Sequence, residues 1–227
     1  MFVKAEYPVD VNASNASYDI QFGHVERPVH KNTLADFARF EVCGHKYADL
    51  SDGGFGLAIL NDCKYGFDAS RNCLGITLLK CSTYPDKTCD IGHHSFSYAL
   101  YPHAGNMIQA NVREHAYDFN FTAPVESIPA QNGSLPSSMS LFHISASNVV
   151  IETIKKAEDS DDVILRLYEA ENKRTECKLD VAFPLAEAVQ TNLMEEVEYT
   201  LPMTGSTVKL TMLPFEIKTI RITPKLT

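Results

Sequence analysis

Tryptophan is absent from this chain of 227 residues, and so are several patterns that assign a function on sight. No apolar run approaches the roughly 18 residues that a membrane-spanning helix requires. The sequence also lacks a Gly-x-Ser-x-Gly elbow, a glycine-rich phosphate loop leading into a helix, and a His-Glu-x-x-His motif. These absences leave serine hydrolases of the elbow type, nucleotide-binding enzymes and zinc proteases without support.

Basic residues are also scarce, since 20 Lys and Arg stand against 29 Asp and Glu, for a formal net charge of −9. A nucleic-acid partner is therefore not expected, because phosphate backbones require clustered Lys and Arg. None of the six cysteines forms a Cys-x-x-Cys pair, so the sequence favours free thiols over a zinc site or a disulfide framework. The apolar content of 44% is that of an ordinary globular protein with one large or two small cores.

The sequence does contain an alternation of apolar and polar residues with a period of two, which is typical of half-buried strands. Ser17–Phe22 shows this alternation, and Gly54–Leu60 and Leu74–Leu79 are short apolar runs suited to strands buried on both faces. The pattern predicts further strands at 40–50, 96–100, 117–121, 149–154, 163–168, 177–183, 208–213 and 217–222. A short helix is predicted at 105–116. The sum is an all-β, antiparallel sandwich architecture.

Proline, glycine and serine crowd together between Ala123 and Ser138, which is typical of a linker or a long connection. We therefore predict a main β-sandwich over 1–122, a linker over 123–139 and a smaller C-terminal β domain over 140–227.

Histidines and carboxylates are the first candidates for chemistry, and their spacing is unfavourable. His93 and His94 are adjacent, so they would point to opposite faces of a strand, whereas zinc sites on one element use His-x-His or His-x3-His. Asp52 lies in a Ser-Asp-Gly-Gly turn, where we expect its side chain to bond to the turn's own backbone. Asp49 and Asp52 are therefore a weak pair for glycoside hydrolysis. We predict no metal site and no catalytic residue within this chain.

The loop Asn61–Gly66 carries an amide, a carboxylate, an amine and a phenol directly after a predicted buried strand. Such a set can bond to sugar hydroxyls as donor and acceptor, and it offers a ring for stacking. On chemistry alone, a polar turn with Tyr65 tucked against the sandwich is favoured, because loops are polar by default. A second polar cluster follows the Ser17–Phe22 strand, and its simpler interpretation is an ion-paired surface loop. This cluster consists of Gln21, His24, Glu26, Arg27 and His30.

A set of segments, in order along nearly the whole chain, carries a resemblance to a known family. The most specific is Phe55–Gly66, which reads Phe-Gly-Leu-Ala-Ile-Leu-Asn-Asp-Cys-Lys-Tyr-Gly. The others are Asp19–His24, Arg27-Pro28, His30, Ala38–Val42, Asp49–Ser51, Phe96, Tyr98–Leu100, Pro102-His103, Arg166–Ala170 and Leu213–Phe215. These segments resemble the C-terminal region of the α-mannosidases of glycoside hydrolase family 38, in the branch that includes the cytosolic enzymes. One departure is that Cys43 and Tyr47 stand where the family pattern leads us to expect tryptophan.

The resemblance implies a retaining hydrolase of α-linked mannose, with an aspartate nucleophile and a zinc ion held by two Asp and two His in an N-terminal (β/α) barrel. It also implies a galactose-mutarotase-like supersandwich followed by a smaller β-sandwich, in a cytoplasmic protein. The chain is too short to hold the barrel, so zinc is expected in that missing domain. The implied partners are that catalytic barrel of the same polypeptide and a mannose-containing oligosaccharide, without nucleic acid or membrane. Homo-oligomerisation of the full enzyme is left open.

In the family that the chain resembles, a loop of the C-terminal sandwiches can reach the active-site rim. We therefore predict substrate-rim residues in two groups. The group nearest the sugar is Asn61, Asp62, Lys64 and Tyr65, and the second group is His24 and Arg27. The leading hypothesis is a scaffold and active-site rim that is inactive alone. The alternative is a free-standing carbohydrate-binding β-sandwich, and a purely structural role in assembly is compatible with either.

Overall fold

The computed structural model describes residues 2–225, so positions 1, 226 and 227 of the predicted domains lie outside the described residues. Backbone contacts divide the chain into two compact units, one ending at Glu126 and the other beginning at Ser127. Residues 121–141, which include the predicted linker, form neither helix nor strand and are exposed throughout. No helix within residues 2–225 is long and apolar enough to cross a membrane.

The first unit consists of two antiparallel sheets and two helices. One sheet has the strand order β1-β8-β7-β4, and the other has the order β3-β2-β5-β6-β9. The elements are β1 (Phe2–Pro8), β2 (Asn15–Ile20), β3 (Gly23–Pro28), α1 (Leu34–Ala38), β4 (Val42–Cys43), β5 (Tyr47–Ser51), β6 (Phe55–Asn61), β7 (Gly66–Ser70), β8 (Cys73–Lys80), β9 (Tyr98–Ala104) and α2 (Val112–Asn120).

The two sheets of the first unit face each other across a shared core, as the period-two alternation predicts. Tyr18 and Leu50 come from the five-stranded sheet, and Phe67, Leu74 and Ile76 come from the four-stranded sheet. All five are almost completely buried. Each large apolar side chain removed from water in this way contributes about 1.5–3 kcal/mol to folding.

The outer face of the five-stranded sheet carries α2. Val112 and Ala116 of this helix are fully buried against Tyr47, Ala58 and Leu60. Since successive strand residues point to opposite faces, Asp49 and Ser51 of β5 share the outer face with Tyr47. The helix therefore covers one part of a face whose remaining part is polar.

The second unit is also a sandwich of two antiparallel sheets, with the strand orders β10-β13-β17-β16 and β11-β12-β18-β14-β15. Its core joins both sheets through side chains such as Leu165, Leu179, Leu210 and Ile220. The strands are β10 (Phe142–Ile144), β11 (Val149–Lys156), β12 (Val163–Glu169), β13 (Thr175–Val181), β14 (Leu185–Thr191), β15 (Val197–Thr200), β16 (Met203–Thr204), β17 (Thr207–Met212) and β18 (Ile217–Pro224). The prediction of an all-β, antiparallel sandwich architecture is confirmed.

The strand predicted at 117–121 is wrong, because residues 117–120 belong to α2. Tyr117 and Phe121 stack with their ring centroids 5.5 Å apart, as residues four positions apart on one helix face do. The helix predicted at 105–116 also begins too early. A turn comes first, in which the Asn106 side chain accepts hydrogen bonds from the backbone N–H groups of Ile108 and Gln109. The six cysteines are free thiols.

Candidate functional site

Helix α2 separates two polar cavities in the first unit. One, of about 350 Å³, lies at the segment that leads into the helix. The other, of about 230 Å³, lies where the helix ends at Asn120 and Phe121. The second cavity, here called the loop cavity, also contains three of the four residues predicted nearest the sugar. Its lining is Asp19, Gln21, His45, Lys46, Asn61, Asp62, Tyr65, Asn120 and Phe121.

Asn61 builds the predicted rim loop. Its side-chain oxygen accepts hydrogen bonds from the backbone N–H groups of Cys63 (3.1 Å) and Lys64 (2.6 Å), while its side-chain nitrogen donates to the His45 carbonyl (2.8 Å). The residue is almost completely buried. Its amide is therefore committed to the backbone, and it fixes the direction in which Asp62, Lys64 and Tyr65 leave the strand.

Asp62, Lys64 and Tyr65 extend from this loop. The Asp62 carboxylate accepts a hydrogen bond from the Ser97 backbone N–H at 2.8 Å. Burial by itself would raise the pKa of Asp62, but hydrogen bonds from Cys63 and Ser97 outweigh it and lower the pKa. The Lys64 ammonium lies 4.7 Å from the centroid of the Phe96 ring, and Tyr65 is 48% exposed. The loop thus offers an ionised carboxylate, an ammonium group and an open aromatic ring.

The sequence interpretation missed His45 and Lys46, which complete the loop cavity. His45 faces Tyr65 with ring centroids 4.9 Å apart, and its Nε2 lies 3.0 Å from Nε2 of Gln21. The Lys46 ammonium pairs with the Asp19 carboxylate at 3.2 Å. A signal was available, because β5 and β6 form a hairpin. Residues just before β5 must meet residues just after β6.

His24 and Arg27 are held away from the rim loop. His24 lines the 350 Å³ cavity at the other end of α2, although it pairs in register with Asp19 of the loop cavity. The Arg27 guanidinium lies 4.9 Å from the centre of the Tyr18 ring. These two predicted residues therefore occupy two different environments, and neither lines the loop cavity.

A buried Asp49–His103 pair lies on the outer face, and Asp49 is part of the lining of the 350 Å³ cavity. His103 Nε2 is 2.7 Å from a carboxylate oxygen of Asp49, and both side chains are 2% exposed. The other Asp49 oxygen accepts from the Ser51 hydroxyl at 2.6 Å. Gly56 makes room for this group, because a Cβ there would lie 2.4 Å from His103 Cε1. Since Asp49 is bonded on both oxygens and excluded from water, its arrangement is that of a structural anchor.

Asp52, the other carboxylate candidate for acid–base chemistry, is held by its own turn. Asp52 accepts from the backbone N–H groups of Gly54 (2.8 Å) and Phe55 (3.1 Å), which confirms the predicted turn. Nowhere in residues 2–225 do three or more His, Cys, Asp or Glu side chains gather in a way that could hold a metal ion. The chemistry that the loop cavity supports is recognition of a hydroxyl-rich ligand by hydrogen bonding and ring stacking.

Two models of known protein families match this chain. The glycosyl hydrolases family 38 C-terminal domain matches residues 1–88, and the glycosyl hydrolases family 38 C-terminal beta sandwich domain matches residues 148–220. The chain is 43% identical over 221 residues to Alpha-mannosidase 2C1 of Homo sapiens, and 40% identical over 216 residues to Alpha-mannosidase G of Dictyostelium discoideum. These matches cover 95% and 93% of this chain but only 21% and 20% of the relatives. The chain thus spans about a fifth of their length.

A solved structure supports the fold independently. The crystal structure of an alpha-mannosidase from Enterococcus faecalis V583 superimposes with a TM-score of 0.78 at 17% sequence identity. The match covers 97% of this chain and 25% of that chain. At this level of identity the likeness shows the fold alone.

Proposed function

The chain carries two C-terminal domains of glycoside hydrolase family 38, and from that membership we propose that it serves an α-mannosidase as scaffold and active-site rim. The support is a match over 95% of the chain at 43% identity to a relative of which it spans only 21%. That proportion leaves room for a separate catalytic domain in the same polypeptide. The chain is proposed to be inactive alone.

The observation that carries the rim role is the loop cavity. Its polar groups and its exposed Tyr65 ring suit a sugar, and the loop belongs to Phe55–Gly66, the segment with the most specific family resemblance. We assign the sugar contacts to Asp62 and Tyr65, which line the cavity, and to Lys64, which extends from the same loop but lines a different cavity, with Asn61 holding the loop. His24 and Arg27 remain a more distant part of the proposed rim, because His24 pairs with Asp19 across β2 and β3.

The proposed reaction of the whole enzyme is hydrolysis of α-linked mannose with retention of configuration, in the cytoplasm. Retention requires a carboxylate nucleophile and an acid–base carboxyl group, which we assign to the N-terminal catalytic domain. Zinc bound there would supply electrostatic contacts to the sugar hydroxyls. Its ligands are assigned to that domain too, since no three-ligand group is found among the described residues.

Assay of an aryl α-mannoside tests the proposal. We expect hydrolysis by the full-length polypeptide and none by residues 1–227 alone, and turnover by the isolated chain would overturn the division of labour. Saccharide binding by the isolated chain, measured by titration with mannobiose, would instead support the free-standing binding module.

Loop variants of the full-length enzyme test the rim role. Tyr65→Ala should raise KM for an α-linked oligosaccharide about three- to tenfold, the usual value of one aromatic contact. Tyr199→Ala is a matched control, because Tyr199 is also 48% exposed but lies in the second unit. An equal effect of both substitutions would refute the rim assignment.

A further inference from the structure

Among residues 2–225, the Gln21 and His45 side chains bond to each other, and each keeps a hydrogen-bonding position that meets no other protein group. Gln21 Nε2 and His45 Nε2 lie 3.0 Å apart. If the amide donates, the imidazole carries its proton on Nδ1, and a donor at Nδ1 and an acceptor at Gln21 Oε1 remain. If the amide is turned over, its oxygen accepts from His45 Nε2–H. The Gln21 amide nitrogen then remains as the donor and His45 Nδ1 as the acceptor. Each arrangement leaves one donor and one acceptor side by side.

The backbone, rather than the side chain, fixes His45 in place. Its N–H donates to the Asp19 carbonyl at 3.0 Å, and its carbonyl accepts from Asn61 at 2.8 Å. The imidazole is half-buried. Its side-chain contacts are the hydrogen bond to Gln21 and the ring contact with Tyr65 described above. Replacement of the imidazole therefore leaves the backbone bonds of the loop intact.

The loop cavity has the size and lining of a site for one sugar ring. Its volume of about 230 Å³ lies below the roughly 300–1,000 Å³ of pockets for drug-sized ligands. Two exposed rings border it, Tyr65 at 48% and Phe121 at 65% exposure. Sugar rings present apolar C–H faces and rows of adjacent hydroxyls, which match aromatic rings and a donor–acceptor pair respectively.

The charges of the loop cavity disfavour an anionic ligand. Lys46 is already paired with Asp19 at 3.2 Å, and Asp62 is satisfied in part by Ser97. No cation on the lining is left over for a phosphate or a carboxylate. The Asp62 carboxylate can itself accept a hydrogen bond from a sugar hydroxyl, so a neutral hydroxyl-bearing ring suits this lining.

We propose that Gln21 and His45 are specificity-determining residues that bond to two adjacent hydroxyls of a second sugar unit, next to the mannose that is cleaved. The inference rests on the proposed function, because the bond-breaking groups are assigned to another domain. Residues at the rim therefore contact the sugar unit next to the mannose that is cleaved. Tyr65 and Phe121, the exposed rings that border the cavity, supply its apolar contacts.

The test compares a two-sugar substrate with a one-sugar substrate in the full-length enzyme. His45→Ala and Gln21→Ala should each lower the ratio of kcat/KM for α-linked mannobiose to kcat/KM for an aryl α-mannoside by about tenfold, the value of one or two hydrogen bonds. His93→Ala, which removes an exposed imidazole from the loop before β9, should leave this ratio at the wild-type value.

The outcomes separate the two proposals. An equal loss on both substrates, or no loss on either, would overturn the role of Gln21 and His45 and leave the rim function standing. Failure of the full-length wild-type enzyme to hydrolyse either substrate would instead refute the proposed function itself.

Discussion

The two units share one plan, a four-stranded sheet packed on a five-stranded sheet, yet they bury charge in different ways. The first unit places the Asp49 carboxylate 2.7 Å from Nε2 of the buried His103 imidazole. The second unit buries Glu169 completely and surrounds one of its oxygens with the Asn148 amide and the Glu171 N–H, both at 2.8 Å. Its other oxygen accepts from the Phe215 N–H at 3.0 Å. A buried carboxylate therefore does not by itself mark a functional site in this protein.

What distinguishes the first unit is the layer outside its sandwich. Helix α2 covers only part of the outer sheet face, so one cavity lies at the segment before the helix and another lies at its end. The Asp49–His103 pair fixes the strands that carry these cavities, whereas Glu169 fixes the turn between β17 and β18. The same kind of group supports the strands beside two cavities in one unit and a connection between strands in the other.

Replacement of His103 should cause the largest loss of stability, and it tests the role of the buried Asp49–His103 pair in the first unit. His103→Ala leaves the Asp49 carboxylate buried without its partner, which typically costs about 3–5 kcal/mol. Hydrogen exchange, followed by mass spectrometry on peptides of each unit, should show the loss in the first unit. His143→Ala, at an exposed imidazole in β10, is the control. Unchanged protection of β5 and β9 in the His103 variant would contradict the anchor role.

Glu169→Gln tests the role of the buried carboxylate in the second unit and should lower stability by a smaller amount. The amide keeps one acceptor but brings a donor towards groups that are themselves donors, so about 1–3 kcal/mol should be lost. Urea unfolding monitored through peptides of the second unit measures this change. Glu176→Gln, at an exposed position of β13, should be neutral. Equal midpoints for the two variants would show that Glu169 contributes nothing specific.

The two buried groups should respond to pH in opposite directions. Burial alone would lower the pKa of His103, but the hydrogen bond and charge of Asp49 raise it. The stability it contributes is therefore present below about pH 6.5 and is lost as the pH rises through the raised folded pKa. Burial alone would raise the pKa of Glu169, but hydrogen bonds from Phe215, Asn148 and Glu171 lower it. Its contribution is present above about pH 4.3 and is lost as the pH falls through the lowered folded pKa.

The difference in unfolding free energy between wild type and each variant, measured at several pH values, tests this contrast. The stability gap between wild type and His103→Ala should narrow as the pH rises from about 6 to about 9. The gap between wild type and Glu169→Gln should narrow as the pH falls from about 5 to about 3. If both gaps changed in the same direction with pH, the assigned charge states would be wrong.

Strand alternation made most of the sandwich predictable, because burial of one face forces a period of two. Alternation gave a wrong prediction at Tyr117, Phe119 and Phe121, because three aromatic residues at alternate positions resemble a strand. The helical signal was present in Val112, Ala116 and Phe119, whose spacing of four and three residues places them on one helix face. The two patterns overlap, and packing against Tyr47 and Ala58 of the sheet decides between them.

The candidate site was predictable to the extent that it lies in one continuous loop. Asp62 and Tyr65 could be nominated because their loop belongs to the segment with the most specific family resemblance, whereas chemistry alone favoured a polar turn. The β5–β6 hairpin could have joined His45 to that loop. Gln21 could not be joined to it from the sequence, since it is 24 residues from His45 and meets it only through the pairing of β2 with β5. Local pattern therefore finds a loop, whereas a cavity depends on the register of the sheet.

Cleavage of the connection between the units should have the smallest effect of all. Residues 121–141 are exposed and irregular, and each unit has a core of its own, so the free energy of unfolding of either unit should change little. A glutamate-specific protease should cut at Glu126 and spare Glu114, whose side chain is 47% exposed but whose backbone is held in α2. The amides of β6 and β12 should keep their protection in hydrogen exchange after the cut. Loss of protection in either strand would mean that one unit folds only while it is joined to the other, and the division of the chain into two self-sufficient sandwiches would have to be abandoned.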